Sequence, residues 1–114
     1  MSNSTNKGKT MNNETANTIK SQLGNPALFM IGAKKLTPHE NGLSFKIGQN
    51  HRKINHVKIT LNGLDLYEIT FSRMPSPKML AKGRQPKTVA EHEGLYFDQL
   101  KRIIEKETGL YTSL

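Results

Sequence analysis

The sequence predicts an α+β fold: a single antiparallel four-stranded sheet in meander order, with an N-terminal and a C-terminal helix packed on its apolar face. Three observations lead there. Between residues 43 and 71, apolar and polar residues alternate with the period of a half-buried strand. Asn41-Gly42 and Asn62-Gly63 punctuate that alternation as hairpin turns do. Apolar residues near both ends recur instead at helical spacing. The expected order is α-β-β-β-β-α.

The first helix is expected over Glu14–Leu23, where Ala16, Ile19 and Leu23 share a face. Asn12 or Asn13 is placed to cap it, and Glu14 suits the positive end of the helix dipole. Gly24 can supply a left-handed C-terminal residue, with Pro26 beyond it to stop propagation. Residues 27–36 read as a first strand that turns Phe29, Ile31 and Ala33 to the core. Leu43, Phe45 and Ile47 mark a second strand, Val57, Ile59 and Leu61 a third, and Tyr67, Ile69 and Phe71 a fourth. A two-residue Asn62-Gly63 loop would strand Tyr67, Ile69 and Phe71 on the wet face. A loop of three or five residues pairs Ile59 with Tyr67 or Ile69 and keeps every large residue on one side, so the odd length is expected. Residues 73–87 hold three prolines and five basic residues with no acid, which predicts a basic loop. Thr88 is expected to open the last helix through a capping box with Glu91. Its stripe would be Val89, Tyr96, Leu100, Ile103 and Ile104, with Gly94 costing about 1 kcal/mol. Gly109 ends it and Leu110 makes the accompanying apolar contact.

Residues 1–12 are almost wholly polar and predict a disordered tail; residues 13–114 form one α+β domain of roughly 100 residues, enough for a modest core. The absence of cysteine excludes disulfides and thiolate metal sites. No apolar run nears the ~18 residues of a membrane helix, and Lys7 and Lys9 precede no apolar h-region. A soluble, cytoplasmic protein is expected.

Charge is spread unevenly. Residues 1–87 carry 14 Lys/Arg against 4 Asp/Glu, a net of +10, whereas residues 88–114 carry 3 against 5, a net of −2. A concentrated positive surface attracts polyanions, of which nucleic acid is the commonest in a cell.

The chemistry-bearing residue types do not assemble into a catalytic pattern. Gly32-Ala33-Lys34 lacks the G-x-x-x-x-G-K spacing of a phosphate loop, because seven residues separate Gly24 from Gly32. A strand glycine that permits close packing or a bulge explains it. His39, His51, His56 and His92 lack the spacing of a zinc site. A metal nuclease would pair Asp65 and Glu68 with a nearby strand lysine, but the residue two after Glu68 is Thr70. No glycine-flanked serine elbow is present, and Glu91-His92-Glu93 fits a first helical turn. The expectation is a non-enzymatic protein without cofactor or metal, a metal nuclease being the enzymatic alternative.

Several segments are familiar together: Ser21-Gln22-Leu23-Gly24, Met30 with Gly32-Ala33-Lys34, Asn41-Gly42-Leu43-Ser44-Phe45-Lys46, and Val57-Lys58-Ile59-Thr60-Leu61-Asn62-Gly63 with Asp65 and Tyr67. Tyr96 with Asp98-Gln99-Leu100 and the ending Thr108-Gly109-Leu110-Tyr111-Thr112-Ser113-Leu114 complete the series. Over residues 14–114 the chain resembles a family of small proteins encoded by bacteriophages, prophages and other mobile elements. It departs in having Ile31 where the family has Thr and in a longer stretch over residues 74–86. The resemblance implies an accessory protein in the cytoplasm of a bacterial host and no particular activity.

The expected nucleic-acid-binding residues are Lys34 and Lys35 at the end of the first strand, Lys46 and Lys58 on the wet sheet face, and Arg52 and Lys53 in the loop between. Arg73, Lys78, Lys82, Arg84 and Lys87 of the basic loop join them. Six phosphate contacts among these would give a log–log salt slope of about 5. Because strand parity turns Phe29, Phe45, Tyr67 and Phe71 inward, no stacking platform is expected, and duplex is favoured over single strand. A double-stranded-RNA-binding domain has a related element order, but Glu91 and Glu93 occupy the expected helix start where that domain is basic. The alternative is a non-enzymatic protein–protein module, such as an inhibitor of a host defence or replication factor.

Overall fold

The computed structural model describes residues 14–112. The expected tail and the Asn12 or Asn13 cap lie outside the described residues. The elements are α1 (Glu14–Leu23), α2 (Asn25–Met30), β1 (Lys34–His39), β2 (Gly42–Lys46), β3 (His56–Leu61) and β4 (Tyr67–Arg73), then α3 (Pro77–Ala81), β5 (Lys87–Leu95), a 3-10 turn (Phe97–Gln99) and α4 (Leu100–Thr108). One antiparallel sheet runs in the order β1-β2-β3-β4-β5, with a helical segment at each end of the described chain. It has five strands, not four.

Two stretches depart from expectation. The first is residues 25–33. Pro26 does not end helical structure but sits in the first turn of a second helix, where its missing N–H costs nothing. Gly24, at φ +84, closes α1 with its N–H on the Lys20 carbonyl (2.8 Å) and is at the same time the N-cap of α2. Ala27 and Leu28 are buried, whereas Phe29, expected in the core, is 87% exposed. The second is residues 87–95, which form a strand against β4 rather than the start of the last helix. Gly94 at φ +68 is a left-handed residue that no helix interior accepts, and the β5 register shifts between its pairings with Tyr67 and Ile69. Thr88 and Val89 are β-branched, and β4 would otherwise end the sheet with an open edge through its most apolar strand. Tyr96, given to the apolar stripe, is 63% exposed. The final helix is therefore α4 alone, with Leu100 and Ile104 fully buried and Gly109 in the expected left-handed C-cap (φ 76).

The expected register holds in the last predicted hairpin. Leu61 pairs with Tyr67, Ile59 with Ile69 and Val57 with Phe71, so the connecting loop is the five residues 62–66. Leu43, Phe45, Val57, Ile59, Ile69 and Phe71 consequently line one face at 0–1% exposure. Helix α1 covers that face over β2 with Ala16, Ile19 and Leu23, and α4 covers it over β4. Truncating Phe71, at the centre, would cost about 3–5 kcal/mol.

Candidate nucleic-acid interface

Cross-strand partners in a sheet share a face, so the registers read out the opposite, polar face row by row. Lys34, Lys46, His56, Ser72 and Thr88 make the first row. Thr37, Ser44, Lys58, Thr70 and Glu91 make the next. His39, Gly42, Thr60 and Glu68 follow. Lysines thus occupy the β1–β3 side of the first two rows and glutamates the far side of the last two.

The first row lies at the sheet end where β1 and β5 begin and where the β2–β3 and β4–β5 connections leave. Lys53 sits in the first connection, and Lys78, Lys82 and Arg84 in the second, with Lys87 at its close. All five are exposed. The opposite end carries Glu40, Asp65 and Glu93 in or beside its turns. Among the described residues, no ion pair engages Lys34, Lys46, Lys53, Lys58, Arg84 or Lys87.

The two connections at the cationic end are fastened together. Asn55 acts as a strand-like clamp: its side-chain amide donates to the Met74 carbonyl (2.9 Å) and its oxygen accepts from the Met74 N–H (2.7 Å). The Arg73 guanidinium donates to the Arg52 carbonyl (2.9 Å). Asn50 bonds the Gly48 and Ile54 carbonyls (3.0 and 2.6 Å) and accepts from the Ile54 N–H (3.1 Å), which closes the β2–β3 loop on itself. Beside this junction, an open cleft of about 400 Å³ is lined by Arg73, Arg84 and Lys87 with Met74, Pro75 and Met79. Helix α3 stands over residues 77–81, capped by the Ser76 hydroxyl accepting from the Met79 N–H (3.3 Å). The predicted basic loop is therefore partly regular.

Arg52 is placed differently from the expectation. Its guanidinium reaches across to α4 and pairs with the buried Glu107 carboxylate, which also accepts from His92 Nε2 of β5 (2.5 Å). The His92 ring meets Phe71 edge-on, with centroids 6.4 Å apart. Burial alone would raise the Glu107 carboxyl, but the hydrogen bonds from His92 and Arg52 outweigh it and hold the group below the usual carboxylate range. Arg52 ties the β2–β3 loop to α4, and Arg73 spends donors on loop carbonyls. Lys35 is exposed at φ +54, where the β1–β2 ladder is irregular.

The lysine field is felt by its neighbours. His56 is held below the ordinary histidine range by burial first, then by His39, Lys58 and Lys46. His39, which shares a 2.7 Å hydrogen bond with Ser44, is lowered by burial and then by Lys58. The lysines add to what burial already does in disfavouring the protonated imidazoles. Reading for charge and metal spacing missed Asn50 and Asn55, the organisers of this end. Their signal was polar loop residues between strands, which is common to all loops.

Among the described residues, no group of three or more His, Cys, Asp or Glu is placed to hold a metal ion, and no helix is long and apolar enough to cross a membrane. The chain matches no family model, no curated protein and no solved structure.

Proposed function

We propose that this protein is a small accessory protein of a mobile element that binds nucleic acid through phosphate contacts at the cationic end of its sheet. The observation that carries this reading is the convergence of Lys34, Lys46, Lys53, Arg84 and Lys87 on one sheet end without carboxylate partners among the described residues. Lys58 lies one row in. Each cation that meets a phosphate releases a condensed counterion, so affinity falls steeply with salt. Arg52, held by Glu107, contributes to the shape of the loop instead.

The test is fluorescence anisotropy of a labelled oligonucleotide titrated with protein at salt concentrations from about 50 to 200 mM. The expected result is a log–log slope of about −4 to −5. Absence of binding at the lowest salt overturns the proposal.

A second reading, a protein–protein module, is favoured by the other end of the molecule. Leu64, Tyr96 and Phe97 are 80%, 63% and 58% exposed there, away from the cations. Capture of a host protein from nuclease-treated lysate, lost in a Leu64→Ser/Phe97→Ser variant, supports this reading; capture that survives the variant overturns it.

A further inference from the structure

Resting on that reading, we infer that the polyanion is single-stranded, and that Phe29 and Tyr111 are the rings on which its bases stack. The expectation of duplex followed from strand parity, which put Phe29 in the core. Helix α2 places it at 87% exposure instead. The exposure is built in. The two residues before it, Ala27 and Leu28, are 2% and 7% exposed, so the helix is seated firmly with its phenylalanine turned out. A phenylalanine ring has no polar atom that water could satisfy, unlike the hydroxyl tip of a tyrosine.

The backbone that carries the ring is tied to the loop that leaves the cationic end of the sheet. The Phe29 carbonyl accepts from the Gly32 N–H (3.0 Å), and the Ile31 carbonyl accepts from the Gly48 N–H (2.8 Å) at the root of the β2–β3 loop. Gly32, at φ +69, is so close that a Cβ there would lie 3.1 Å from the Gly48 nitrogen. Two residues on, Lys34 faces Lys46 across the ladder. On another side of the same loop, Gly109 lies against the His51 ring, where a Cβ would come within 2.8 Å. Tyr111 follows at 71% exposure. Its segment is held because the N–H and hydroxyl of Thr112 both donate to the Glu105 carboxylate (2.8 and 2.7 Å). Both exposed rings are thus carried by segments that pack against the loop holding Lys53.

Rings interleaved with cations are the arrangement that grips unpaired bases: the cations follow the backbone and the rings take the base faces. A duplex keeps those faces inside its own stack and offers the rings nothing. Tyr96 and Phe97 are also exposed but follow β5 at the opposite end of the sheet from Lys34 and Lys46.

The test compares a labelled oligo-dT strand with a DNA hairpin of equal phosphate count, using the wild type, Phe29→Ala, Tyr111→Ala and Lys46→Gln. Single strand should bind about tenfold or more tighter than the hairpin. Phe29→Ala should lose about 5- to 100-fold of single-strand affinity, with an unchanged salt slope and unchanged hairpin binding. Lys46→Gln should weaken both and reduce the slope by about 0.7–0.9. An unchanged melting temperature for Phe29→Ala shows that the loss is not unfolding. If both DNAs bind and the two ring variants keep single-strand affinity within about twofold, stacking is overturned and phosphate binding stands. If neither DNA binds at low salt, the phosphate reading falls and takes stacking with it.

Discussion

At one end of the sheet Lys34 faces Lys46 across the β1–β2 ladder; at the other, His39 faces Gly42 and the row runs on to Glu68. The two ends also differ in how their turns are held. At the acidic end, the Asn62 side chain accepts from the Leu64 and Leu66 N–H groups (2.8 and 3.2 Å), a local turn device. At the basic end, Asn55 and Arg73 join two separate connections. Like charges opposite one another on a sheet cost about 0.2–1 kcal/mol. That the fold sets two lysines side by side and fixes the loops around them supports the proposed phosphate contacts.

The sharpest way to break this contrast is to neutralise one end at a time. A Lys34→Gln/Lys46→Gln/Lys87→Gln variant should bind oligonucleotide about 100- to 500-fold more weakly near 0.1 M salt, with a slope about 2–3 smaller. The matching Glu68→Gln/Glu91→Gln/Glu93→Gln variant should bind as tightly as wild type or a few-fold tighter. Equal losses in the two would erase the distinction.

Glu107→Ala separates stability from affinity. It removes the acceptor for Arg52 and His92 and should cost about 2–3 kcal/mol by denaturant titration, under the range for fully buried pairs because the Arg52 side chain is 36% exposed. Freed Arg52 then adds a cation, so the salt slope of the folded variant should steepen by up to about 0.9. Asn55→Ala should cost about 1–2 kcal/mol and weaken binding as the two loops part, although no charge is lost.

The smallest effects come from pH. His39 and His56 have folded values below the unfolded one, so the unfolded chain takes up protons near pH 6.5 that the folded chain refuses. Stability in the free protein should therefore decline as pH falls below about 6.5, and again below about 4.5 as Glu107 and Glu105 are protonated. His56 is lowered by burial first and then by His39, Lys58 and Lys46; phosphates bound beside Lys46 and Lys58 would offset the lysine part. Binding should take up protons, and affinity should rise a few-fold from about pH 7.5 to 5.5. Affinity that is flat over this range would place the phosphates away from the polar face.

Much of the fold was legible because side-chain period follows the buried face. Ile59 and Ile69 had to point the same way, which limited the loop to an odd length; the structure takes the five-residue alternative, 62–66. The helices at Glu14–Leu23 and before Gly109 were legible for the same reason. Residues 87–95 were not, because Thr88 and Glu91 match a helix cap, while the competing partner, the open edge of β4, is a tertiary fact. Residues 25–30 were not, because a run of Pro, Ala, Leu, Phe and Met suits a short buried helix as well as a strand. The charge asymmetry was legible from composition, but the pairing of Arg52 with a residue far along the chain was not.

Amide chemical shifts recorded while an oligonucleotide is titrated into labelled protein test the central claim most directly. The perturbed residues should cluster in 29–35, 46–58, 73–88 and around Tyr111. Perturbations centred on 62–68 and 91–98, or none at low salt, would contradict it.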